Sequence, residues 1–247
     1  MSAIWVEIVD ARGSTPRDVG TAMKVTVGGI EGTIGGGALE YRAIAEARDF
    51  LVDGRDDVRR SYPLGPDLGQ CCGGAVTLNF TRKERQTDRA EAQILKPRTK
   101  TSNQGLLWLW GAGHVGRAVV RTLHPQAFKV TWVDSSADRF PDHVGDHVTV
   151  TPAADMPLLA TRAPTDAHHL IFTYSHDIDL ALCAALLKRG AASIGLIGSD
   201  TKRARFFKRL RDMGLDPEPI QCPIGDKSLG KEPNAIAKGV VEALLKS

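Results

Sequence analysis

Four cysteines in 247 residues, at Cys71, Cys72, Cys183 and Cys222, are too few and too irregularly placed to form a disulfide framework. They read as reduced thiols, so any special role for one of them rests on its reactivity. The chain also lacks an excess of either charge. Its 32 Lys and Arg against 29 Asp and Glu leave a formal net charge of +3, which gives no electrostatic basis for a nucleic-acid partner. No run approaches the ~18 consecutive apolar residues of a membrane span. Met1-Ser2-Ala3-Ile4-Trp5 carries no basic stretch followed by an apolar one. No membrane partner is expected, and the protein reads as cytoplasmic. The sequence contains neither Gly-x-Ser-x-Gly nor His-Glu-x-x-His, so hydrolysis has no positive support. His143 and His147 are separated by Gly145, and His168-His169 stands alone, so these histidines form no metal-ligand pattern.

What is present divides the chain in two. Thr81 to Gln104 is crowded with charged residues and has only Ile94 and Leu95 as large aliphatics, which reads as a solvated connector. So long a structureless loop is unusual inside one compact domain. The expectation is therefore an N-terminal domain over 1–100, with the connector at its end, and a second domain over 101–247.

In the first part, strands are predicted for Ile4 to Val9, Met23 to Val27, Ile30 to Ile34, Val58 to Tyr62 and Ala75 to Phe80. A helix is predicted from Ala38 to Leu51, where apolar residues recur at helical spacing among good helix formers, with Gly54 ending it. In the second part, predicted strands at Leu106 to Trp110, Lys129 to Val133, His169 to Thr173 and Ser193 to Ile197 alternate with helices. These helices cover His114 to Leu123, Asp177 to Arg189, Thr201 to Met213 and a last one from near Pro233. The stretch after Val133 through Pro164 reads as looser. Such alternation implies parallel strands and right-handed crossovers. The fold class is α/β: a C-terminal Rossmann-like, doubly wound parallel sheet with a smaller N-terminal α+β domain.

The most informative turn is Gly111-Ala112-Gly113-His114-Val115-Gly116, set between a buried-type strand and an amphipathic helix. In that context the first glycine permits the tight turn, the second admits a pyrophosphate, and the third lets helix pack on strand. N–H groups at the helix start then favour an anion. Asp134 ends the next strand, 18 residues after Gly116, where an acidic side chain commonly receives ribose hydroxyls. Two further strand ends carry Ser175 with His176, and Gly198 with Ser199. These residues are candidates to line one crevice with His114, although Ser175 and Ser199 also read as helix N-caps.

Two features of the first part belong with these. Gly35-Gly36-Gly37 opens the predicted helix and is a second candidate anion nest, or a tight turn needing positive φ. Gln70-Cys71-Cys72 lies among glycines, where a thiolate would be accessible. One of the two cysteines is expected to point into a core, as Cys183 and Cys222 are.

Arg12-Gly13-Ser14-Thr15-Pro16-Arg17, Gly32 to Glu40, Leu68 to Gly74, Gly111 to Gly116, Gly195 to Ser199 and Gly230-Lys231-Glu232-Pro233, in that order, resemble the motifs of the XdhC/CoxI family of molybdenum-enzyme maturation factors. The resemblance covers nearly the whole chain. It implies a chaperone that binds the molybdenum cofactor (molybdopterin), supports its sulfuration by a cysteine desulfurase, and delivers it to apo-xanthine dehydrogenase. It also leans toward a homodimer. The residues fit a ligand with a phosphate and a sulfur-bound metal, beside which Cys71 or Cys72 is a soft ligand or sulfur relay. On residues alone, an NAD(P)-dependent oxidoreductase using the Gly111–Gly116 turn is the alternative, with His176 as its acid/base.

Overall fold

Ile4, Val6 and Ile8 alternate with Trp5 and Glu7, the period of a strand with one face in a core, and they form the first half of β1 (Ile4–Arg12). The computed structural model describes residues 2–64, 74–87, 94–95 and 104–246. The chain divides into two compact units, Met1–Glu91 and Ala92–Ser247.

In the first unit, β1 is followed by β2 (Ala22–Val25), β3 (Ile30–Gly32), α1 (Gly37–Asp53), β4 (Val58–Pro63) and β5 (Ala75–Thr81). The sheet is antiparallel in the order β3-β2-β1-β5-β4. Leu39, Ala43, Ala47 and Phe50 recur along one stripe of α1 and join Ile4, Val6, Ile8, Met23 and Val25 in one buried cluster. Phe50 meets Phe80 edge-on with ring centroids 5.2 Å apart. Gly54 ends α1 in the left-handed region at φ 78°. Part of the charged segment lies on this unit: Arg85 Nε donates to Glu7 at 2.6 Å, and the Thr87 hydroxyl donates to Glu31 at 3.2 Å.

The second unit contains β6 (Gly105–Trp110), α2 (His114–Thr122), β7 (Phe128–Asp134), β8 (Val148–Pro152), α3 (Met156–Ala160), β9 (His168–Ile171), α4 (His176–Arg189), β10 (Ser193–Leu196), α5 (Asp200–Asp212), β11 (Ile220–Gln221) and α6 (Pro233–Leu244). All six strands are parallel, in the order β11-β10-β9-β6-β7-β8. Helix α2 packs with α6, while α4 packs with α3 and α5. The chain thus winds outward from β6 through β7 to β8, returns to β9, and winds the other way. This is the Rossmann order, with its reversal between β6 and β9. Leu95, from the charged segment, donates its N–H to the Thr122 carbonyl at 2.8 Å and packs against this unit's core.

The stretch from Val133 to Pro164 is more ordered than its sequence suggests, since it holds β8 and α3. Thr149, Thr151 and Pro152 blur the strand pattern of β8, and the five residues of α3 are too few to show a helical period.

His169, fully buried on β9, packs its ring on Trp110 and accepts the Trp110 indole N–H on Nδ1 at 3.1 Å. Burial pushes its pKa down to about 4, so the folded chain holds it neutral. Because the folded value lies below the ordinary one, this contribution to stability is complete above pH ~6.5 and is lost as pH falls toward 4, by about 3 kcal/mol. Urea unfolding followed between pH 7.5 and 4.5 should show this loss, and His169→Gln should flatten the slope by close to one proton. An unchanged slope in the variant would show that other groups carry the effect.

Candidate functional site

The carboxyl edge of the parallel sheet gathers the sequence-predicted residues of the second unit, beginning with the turn after β6. Gly111 has φ 123°, and a Cβ there would stand 2.5 Å from the Phe172 carbonyl oxygen. Its N–H donates to Val133 O at 2.8 Å, and its carbonyl accepts the Trp132 indole at 2.9 Å. A Cβ on Gly116 would lie 2.2 Å from the Gly111 carbonyl, so α2 sits directly against the strand end. Gly113 differs from both: nothing lies within 4 Å of where its Cβ would be. It is the N-cap of α2 and supplies no side-chain acceptor to the helix's first N–H groups. The turn is therefore closed on its packing side and open at Gly113, beside His114 and the partly buried Val115.

Asp134 is 1% exposed and its carboxylate is engaged on several sides. One oxygen accepts the Ala112 N–H at 2.6 Å; the other accepts the Ser135 N–H at 2.6 Å and the Ser135 hydroxyl at 3.1 Å, with Arg139 Nε at 3.4 Å. It holds the glycine turn in shape. The Arg139 guanidinium also lies 5.0 Å from the Tyr174 ring centre, and its carbonyl accepts Arg117 Nη2 at 2.7 Å. Arg139 follows β7 and Tyr174 follows β9, the two neighbours of β6, so this contact crosses the end of β6 where the glycine turn lies. Neither residue stood out in the sequence, because a lone Arg and a lone Tyr on separate loops have no spacing to betray them.

On the other side of the reversal, Ser175 and His176 begin α4, and Gly198 and Ser199 lead into α5. Ser199 is a true cap, accepting the Lys202 N–H at 3.2 Å, whereas the Ser175 side chain makes no capping bond. Thr173 and Asp179 serve the start of α4 instead: Asp179 Oδ1 accepts the Thr173 N–H at 3.0 Å and its hydroxyl at 2.7 Å. Asp179 Oδ2 accepts Lys202 Nζ at 2.6 Å, and this ion pair is buried, with the Lys202 side chain 8% and that of Asp179 1% exposed. The partly buried His176 ring meets Phe206 edge-on at 6.1 Å. Burial, and after it the charge of Lys202, push the His176 pKa down to about 4, so its imidazole is neutral near pH 7. The Asp179–Lys202 pair escaped the sequence reading because its partners are 23 residues apart on different helices.

In the first unit, Gly35, Gly36 and Gly37 all have positive φ. The anion they gather is the chain's own. Glu40, 6% exposed, accepts the Ile34 N–H at 3.0 Å, the Gly36 N–H at 3.2 Å and the Thr33 hydroxyl, while the Gly35 N–H goes to Thr33 at 3.0 Å. Gly35 is pressed on Pro16, so that a Cβ on it would stand 2.5 Å from Pro16 Cβ, whereas Gly36 faces open space. Gln70, Cys71 and Cys72 lie outside the described residues. Cys183 and Cys222 are buried. Burial raises both thiols, Cys222 to about 11, which leaves them protonated near neutrality. Among the described residues, no helix is long and apolar enough to cross a membrane.

Residues 107–242 match the sequence profile of the XdhC Rossmann domain, and residues 2–63 match that of the XdhC and CoxI family. The uncharacterized protein YqeB of Escherichia coli (strain K12) is 26% identical over 246 residues, which are 97% of this chain and 42% of that protein. The chain thus spans less than half the length of this relative. The crystal structure of a xanthine dehydrogenase from Bacillus halodurans superposes with a TM-score of 0.50 at 18% identity, covering 100% of this chain and 91% of that one. That likeness is one of fold.

Proposed function

The chain belongs to the XdhC and CoxI family, and on that premise we propose that it is a maturation chaperone that binds the molybdenum cofactor as cargo. In this reading it supports sulfuration of the cofactor by a cysteine desulfurase and its insertion into a xanthine dehydrogenase, acting as a homodimer in the cytoplasm. The carrying observation is the start of α2: Gly113 has open space beside it and, as the N-cap, brings no side-chain acceptor of its own to the helix. N–H groups so placed, at the point where the strand order reverses, suit the phosphate of molybdopterin. His114, Val115, Ser175, His176, Gly198 and Ser199 are assigned to the surrounding crevice. Arg139 adds a cation near its mouth, and Asp134 acts by holding the Gly111–Gly116 turn. Within the first unit, Gly35, Gly36, Gly37, Gln70, Cys71 and Cys72 are also proposed as cofactor-binding residues, with Cys71 as a soft metal ligand.

The test is to express the protein in a host that makes the cofactor, pass it through gel filtration, and measure molybdenum and oxidised pterin per chain. Near-stoichiometric retention is expected; wild-type protein that retains none refutes the proposal. Cys71→Ala should lower retention by about tenfold with an unchanged circular dichroism spectrum, and equal retention would remove Cys71 from the site. For the NAD(P)-dependent alternative, Asp134 is a poor ribose acceptor because its oxygens are already engaged. Saturable NAD(P)H fluorescence at micromolar cofactor would nonetheless move the site to that reading.

A further inference from the structure

One buried ammonium joins the two loops that form the far side of the crevice. Lys202 Nζ donates to Asp179 on α4 at 2.6 Å and to the Ile197 carbonyl, in the loop after β10, at 2.9 Å. Its aliphatic stem covers Gly198, where a Cβ would come within 2.6 Å of Lys202 Cδ. From Asp179 the connection continues into the loop after β9. The Thr173 hydroxyl, which donates its one proton to Asp179 Oδ1, accepts the Ser175 N–H at 3.2 Å. Every link is a side chain reaching backbone or a buried partner, so the loops cannot shift independently without leaving a buried polar group unsatisfied. An ion pair this deep is not kept for its stability, because apolar replacements of similar volume are commonly as stable.

We infer that Lys202, through Asp179, is a positioning residue for the proposed cofactor site, fixing the loops that carry Ser175, His176, Gly198 and Ser199 in one arrangement. This rests on the reading of the second unit as a cofactor site. The charged groups facing His176 are Lys202 and Arg205 from α5 and Asp177 and Asp179 from α4. Lys202 is the strongest of them, which makes the His176 imidazole a built-in reporter of whether the ammonium is in place.

The experiment compares wild type with the double variant Asp179→Asn/Lys202→Met, which removes both charges together while Asn still accepts from Thr173. Thr173→Val is the second variant; it leaves the ion pair intact and cuts its link to Ser175. Each is expressed in the cofactor-producing host, checked for a wild-type-like unfolding transition, and assayed for molybdenum and pterin retained per chain. Retention should fall by about tenfold in both, as expected when the binding-competent loop arrangement is populated only fractionally. In the double variant, the His176 imidazole titration followed by NMR should move up from about 4 but stay well below the ordinary histidine value, because burial is the larger cause and the lost Asp179 charge offsets part of the lost Lys202 charge. In Thr173→Val it should stay low. A folded double variant, or a folded Thr173→Val protein, that retains as much cofactor as wild type overturns the inference. Wild type that retains none overturns the underlying reading instead.

Discussion

Gly111→Ala is expected to destabilise the second unit by about 3–5 kcal/mol, combining a strained backbone with overpacking. At φ 123° an L side chain is strained whatever the space around it, and here there is none: the new methyl would face the Phe172 carbonyl oxygen at 2.5 Å and its carbon at 2.9 Å. Neither atom can rotate away, because Phe172 continues β9 and its N–H is bound to Trp110 O at 3.0 Å. Relief requires β6 and β9 to part at the reversal point, the place where a ligand would be held. Gly113→Ala is the control. With φ −73° and open space beside it, it should cost about 1 kcal/mol or less, yet lower cofactor retention if a phosphate approaches there. Urea unfolding read by tryptophan fluorescence suits the comparison, since Trp108, Trp110 and Trp132 all lie in the second unit. A Gly111→Ala transition within about 1 kcal/mol of wild type would mean that the turn relaxes freely.

The second large effect is electrostatic. Asp179→Leu leaves the Lys202 ammonium buried with the Ile197 carbonyl as an acceptor and takes the carboxylate away from the Thr173 N–H and hydroxyl. An uncompensated buried charge costs about 3–5 kcal/mol. Asp179→Leu combined with Lys202→Leu should recover most of that loss, because desolvating two charges offsets much of what their attraction returns. The interaction energy from the resulting double-mutant cycle should be about 3 kcal/mol or more. Purely additive losses would show that the two side chains act separately and that the pair does not lock the loops.

Much of the second unit was legible in the sequence because its strands and helices are long enough to show their periods. Leu106-Leu107-Trp108-Leu109-Trp110 could only be a buried strand, and a glycine turn followed by an amphipathic helix has few other structural contexts. β8, α3 and β11 were not legible. They contain five, five and two residues, and such short pieces are held by neighbours on the sheet rather than by local pattern. The site was partly legible. Glycines and strand-end residues announce themselves by position, but the fate of a carboxylate does not. Asp134 and Glu40 both sit where an acidic group can serve a ligand or the backbone, and only the folded chain reveals that Ala112 and Ser135 in one case, and Ile34 and Gly36 in the other, have claimed them.

By itself, the order of residues determined the α/β class, the Rossmann-like second half and the glycine turn at Gly111 to Gly116, because local steric rules and hydrophobic periods act over a few neighbours. Tertiary structure decided which polar groups meet. Lys202 reaches Asp179, and Arg139 reaches Tyr174, only because parallel strands set their carboxyl ends side by side, bringing together residues that no sequence spacing connects.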